Sequence, residues 1–95
     1  MLRGISLIRE FTSRYRARIV RGLATYGEFD PSTDTRWLSV EAQEECLDIG
    51  SYLEMLEAKR PEMRSGILKV RAKAILLYGE LKKLEEAERT LSERA

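Results

Sequence analysis

The sequence predicts an all-α protein, and three observations carry that prediction. Apolar residues recur at three- and four-residue steps through most of the chain. Only two prolines interrupt its 95 residues. A composition of 43% hydrophobic and 35% charged residues fits a small helical globular protein rather than a disordered one. The expected architecture is a single helical domain over residues 1–95, with helices at about 6–26, 38–59 and 62–91. The long C-terminal helix leads to the expectation of a helical bundle completed by dimerisation, because a chain this short buries only a modest core.

The first helix follows from Ile8, Phe11, Tyr15, Ile19, Leu23 and Tyr26, which share one stripe. Tyr15 and Tyr26 on that stripe are expected in the core. Arg14, Arg18 and Arg21 form a parallel basic line, and Arg9 and Arg16 form a second. Residues 1–27 carry six arginines against Glu10 alone, a net charge of +5 within a chain whose total is +1. Gly27 reads as the stop signal. Residues 27–38 are then a loop of turn formers, in which Phe29 and Trp37 are expected to fold back onto the helices.

Ser39 is the candidate N-cap of the second helix, whose early acids suit the helix dipole. Its apolar stripe is Ala42, Cys46, Ile49, Leu53 and Leu56, and Pro61 bounds it. The same proline is a natural first position for the third helix. Ile67, Val70, Ala74, Leu77, Leu81 and Leu84 repeat in heptad fashion there, Glu88 breaks the pattern, and Leu91 resumes it. Such a helix spans about 45 Å and outruns the other two. Gly79 is a possible bend.

Glu41, Glu45 and Asp48 stand at i, i+4 and i+7 of the second helix, with Glu44 one step aside and Tyr52 continuing the line. Like charges at this spacing cost a few tenths of a kcal/mol each. No lysine or arginine lies three or four residues from any of the three, so their counter-charge is an ion, a ligand or another helix. Carboxylates at the rim of a bundle are suited to Mg²⁺, which prefers hard oxygen ligands and keeps waters for a phosphate substrate. Arg14 and Arg18 are candidate phosphate partners. Trp37, leading into the acidic helix, is the candidate for stacking a base.

The segment Glu44-Glu45-Cys46-Leu47-Asp48-Ile49-Gly50-Ser51-Tyr52-Leu53 resembles the ExxD half-motif of the MazG-like all-α nucleoside triphosphate pyrophosphohydrolases. Arg36-Trp37-Leu38 with Glu41-Ala42 is similar to small phage and bacterial relatives of that kind, and the likeness covers about residues 26–56. It implies Mg²⁺ held by acidic helices of a dimerising bundle and a nucleotide substrate. Glu45 and Asp48 match the motif and Glu44 is a neighbouring acid. Glu41 is added from helix geometry alone. The family's EExxE half is absent, since the first helix offers only Glu10. Leu84-Glu85-Glu86-Ala87-Glu88 follows rather than precedes and has the wrong spacing. A second subunit would have to complete the site, unless the chain is a degenerate, non-catalytic relative.

The alternative is non-enzymatic: a helical assembly or adaptor module that binds a homodimeric or other helical protein partner through its third helix. Composition removes other classes. The chain has no histidine, which rules out the usual Ser-His and Cys-His catalysis, and a single cysteine, which precludes an intrachain disulfide. Cys46, on the apolar stripe, is expected as an inert buried residue. Near-zero net charge argues against nucleic acid, and no run approaches the roughly 20 apolar residues of a membrane span. A cytoplasmic location is the expectation.

Overall fold

A computed structural model describes residues 2–94, with side chains from residue 3. The fold is all-α: α1 (Leu2–Tyr26), α2 (Leu38–Lys59), one 3₁₀ turn (Pro61–Met63) and α3 (Arg64–Arg94). The chain divides into two compact units, Met1–Thr35 and Arg36–Ala95.

In the first unit α1 begins at Leu2, about one turn earlier than the apolar periodicity indicates. It ends as expected. Gly27 takes φ +81°, a left-handed conformation open to glycine without strain, and its N–H donates to the Leu23 carbonyl at 3.0 Å. Beyond it, the Asp30 carboxylate accepts from the Ser32 backbone N–H at 2.9 Å and the Ser32 hydroxyl at 2.7 Å. The Asp30 carbonyl accepts from the Thr33 and Asp34 N–H groups, closing the turn at Pro31. Within its own unit the stripe of α1 is not a buried core: Tyr15 is 42% exposed and Tyr26 88%. Phe11 and Tyr15, one turn apart, place their rings 5.5 Å from centre to centre.

The second unit is an antiparallel hairpin of α2 and α3. The α2 helix ends at Lys59, because the ring of Pro61 disfavours the helical conformation at Arg60. Arg60 donates its N–H to the Leu56 carbonyl at 2.7 Å, and the 3₁₀ turn reverses the chain into α3. Gly79 causes no break, and α3 runs through it as one helix of 31 residues.

The side of α3 turned from solvent carries Ile67, Arg71, Ala74, Tyr78, Leu81, Glu85 and Glu88. These repeat at alternating four- and three-residue steps, as a seam between two helices requires. They meet Ser39, Ala42, Gln43, Cys46, Gly50, Leu53 and Glu57 of α2. Ile67 and Cys46 are the buried apolar side chains among the described residues, 3% and 6% exposed, and Cys46 is a free thiol, as its place on the stripe indicates.

This seam is rotated from the one the sequence suggests. Val70, Leu77, Leu84 and Leu91 are 47%, 49%, 58% and 66% exposed, and Ile49 of α2 is also exposed. The apolar stripe of α3 is wider than one helix contact. Polar partners on its other edge draw α2 toward Arg71 and Glu85, so the Val70–Leu91 edge is left uncovered within the hairpin.

Candidate functional site

Three sets of residues could carry function, and the hairpin treats them differently. The acidic set lies on α2. Glu41, Glu44, Glu45 and Asp48 are all exposed, on the side of the helix away from the Gln43–Cys46–Gly50 seam. Within residues 36–94 none of the four forms an ion pair or side-chain hydrogen bond with another described residue. Among the described residues no three His, Cys, Asp or Glu side chains are gathered closely enough to hold a metal ion.

Arg14 and Arg18 stand one turn apart on the same face of α1 and line a shallow groove with Glu10, Phe11 and Tyr15. Arg14 approaches Glu10 one turn away at 3.4 Å, and both side chains are more than half exposed. A pair this open contributes at most a fraction of a kcal/mol, and the guanidinium stays available to a phosphate.

Trp37 is half-buried, and the Arg89 guanidinium sits 4.5 Å from its ring centre. One face of the indole, the proposed platform for a base, is thus covered by the chain's own arginine. Trp37 also occupies the N-cap position in place of Ser39, with extended backbone and no capping side chain of its own.

The cap comes from the far end of the sequence. Glu88 of α3 accepts hydrogen bonds from the Leu38 N–H at 3.2 Å and the Ser39 N–H at 3.3 Å, and also from the Ser39 hydroxyl. A carboxylate there satisfies amides that have no partner within their helix and meets the positive end of the helix dipole. The Ser39 hydroxyl, foremost, and the two N–H groups hold the Glu88 carboxyl below its ordinary value of 4.5.

One turn earlier on α3, Glu85 accepts from the buried Gln43 amide at 2.9 Å and from Arg89 at 2.7 Å. Those two bonds, Gln43 first, hold its carboxyl low as well. Gln43, Glu85, Glu88, Arg89, Ser39 and Trp37 thus form a polar clamp at the open end of the hairpin. Sequence reasoning missed it, although Glu88 standing where the heptad expects an apolar residue was its trace.

The third set is the uncovered apolar edge of α3 with Ile49 of α2 beside it. No helix among the described residues is long and apolar enough to cross a membrane, so the edge is not part of a helical span. In comparisons with known proteins, no protein family, no curated protein and no solved structure matches this chain.

Proposed function

We propose that this chain is a helical assembly module, whose work is to hold a protein partner on the α2–α3 hairpin. The observation that carries the reading is the line of Val70, Leu77, Leu84 and Leu91, four residues spaced seven apart and exposed along a continuous helix. Contiguous apolar surface of this kind on a water-soluble protein marks an interaction site. A hairpin whose buried apolar side chains are Cys46 and Ile67 also gains stability from any helix laid on that edge. The polar clamp fixes the register of the two helices and so presents the line as a rigid strip.

Footprinting tests it. Chemical labelling of Val70, Leu77 and Leu84 is compared between the cells that make the protein and the purified chain at nanomolar concentration. Protection in cells is the expected result. Equal labelling in both would overturn the reading.

The MazG-like hydrolase reading is favoured by one observation, the acids of α2 without a cation beside them within the hairpin. It needs a second acidic set from another molecule. Mg²⁺ at millimolar concentration then raises the thermal midpoint, pyrophosphate is released from a nucleoside triphosphate, and Asp48→Asn abolishes both. Absence of both responses in the unaltered chain would remove that reading.

A further inference from the structure

The geometry points to a second copy of this chain as the occupant of the exposed line, lying antiparallel to the first with Leu77 at the two-fold axis. The inference rests on the assembly reading and names its partner.

The argument begins with spacing. Residues seven apart on a helix drift by only about 20° per repeat, so Val70, Leu77, Leu84 and Leu91 make one slowly winding ridge. Such a ridge packs against a like ridge as a coiled coil. The α3 helix passes through Gly79 without a break, which keeps the ridge in one piece.

Register follows from symmetry. With Leu77 against the partner's Leu77, seven residues on either side bring Val70 against the partner's Leu84, and the reverse. Each of the two flanking contacts sets a shorter side chain opposite a longer one, and no polar residue falls in the line.

Charge decides the direction. Arg71, Tyr78 and Glu85 form the edge of α3 that faces α2 and are committed to the hairpin. The opposite edge, free to meet a partner, carries Lys73 and Glu80 at the same heptad position on either side of Leu77. In the antiparallel register Lys73 of one copy lies within one residue of the other copy's Glu80, twice per dimer. A parallel pairing would instead bring Lys73 and Glu80 against the partner's edge of Arg71, Tyr78 and Glu85, which is already engaged with α2. Glu80 also reaches Lys83 of its own helix at 3.2 Å, but both side chains are largely exposed and the pairing leaves a carboxylate oxygen for a second cation. An unrelated basic or acidic helix would meet one matching and one opposing charge on this edge, whereas a second copy satisfies both.

Sedimentation equilibrium of the full chain from nanomolar to about 100 μM tests the proposal. The expected mass is about 22 kDa, twice the 11.0 kDa of one chain. Leu77→Glu should return it to one chain while the circular dichroism of the helices is kept. Because that variant puts a charge on an apolar ridge, two exposed substitutions give an independent reading. Lys73→Glu and Glu80→Lys each turn both cross-pairs into like-charge pairs and should weaken dimerisation, by roughly two- to thirtyfold at surface-pair energies. The double variant Lys73→Glu/Glu80→Lys should restore it.

A dimer indifferent to Leu77→Glu, or single charge variants that bind like the unaltered chain, would overturn the proposal. So would a chain that remains a monomer throughout. If a monomer is found and Leu77 is still protected in cells, the partner is another protein: self-association falls and the assembly reading stands. If a monomer is found and Leu77 is equally labelled, both fall.

Discussion

The two ends of the hairpin are held by different physics. At the closed end a short connection, Arg60 to Met63, joins the helices covalently, and Ile67 is buried in the seam. Glu57 and Arg71 add a charge contact at 3.8 Å, too long for a hydrogen bond, and a buried oxygen of Glu57 has no hydrogen-bond partner among the described residues. At the open end there is no covalent link and little apolar burial. Glu85, Glu88 and Arg89 instead grip Gln43, the first amides of α2 and Trp37. Apolar contact is non-directional and tolerates sliding, so it suits an end already fixed by the chain. Hydrogen bonds to particular amides do not tolerate sliding, so they suit the end that would otherwise splay.

The sharpest way to break this comparison is at Ile67. Truncation to alanine should destabilise the hairpin by about 2–5 kcal/mol, enough to unfold a marginal domain, whereas Ile67→Val should cost about 0.5–1.5 kcal/mol. Urea unfolding followed by circular dichroism measures both. A loss below 1 kcal/mol for the alanine variant would mean that the closed end does not depend on burial.

The next effect is confined to the open end and depends on pH. Glu85 and Glu88 have carboxyls held below 4.5 in the folded chain. Their stabilisation is therefore complete above the unfolded value of about 4.5 and is lost as pH falls through the lower folded values. Between pH 7 and 3, the protection of the Leu38 and Ser39 amides, taken relative to their intrinsic exchange rates, should fall before that of Ile67 does. Glu88→Gln should make the Ser39 amide exchange faster at pH 7 and remove most of its acid dependence. An unchanged profile would assign the acid response to other groups.

The smallest effect concerns Trp37. Replacing it with leucine removes the arginine–ring contact and should cost about 0.5–1 kcal/mol, since Arg89 is about half exposed. Trp37 is the only tryptophan, so its fluorescence in the unaltered chain reports the open end directly. An emission change that precedes loss of helicity on acidification would sharpen the distinction between the two ends.

Much of the local structure was legible in the sequence. The termini at Gly27 and Pro61 follow from backbone chemistry that acts on one or two residues, and the three helices follow from periodicity. The start of α1 was less clear, because Leu2 to Ser6 completes no apolar turn. The candidate acids were legible as a line, since helix geometry places i, i+4 and i+7 on one side. Their surroundings were not, because whether a carboxylate meets a cation depends on what lies across from it. The cap of α2 shows the same limit: Ser39 is the residue that local rules select, yet the acceptor is Glu88, 49 positions away.

By itself, then, the sequence determined where this chain is helical, where it turns and which residues line up along each helix. Those properties are set by contacts a few residues apart. Only the tertiary structure decided which edge of the α3 stripe faces α2, which glutamates secure the open end and which leucines stay exposed. That choice is non-local. The stripe is broad enough for two seams, and a few hydrogen bonds between residues more than forty positions apart select one of them.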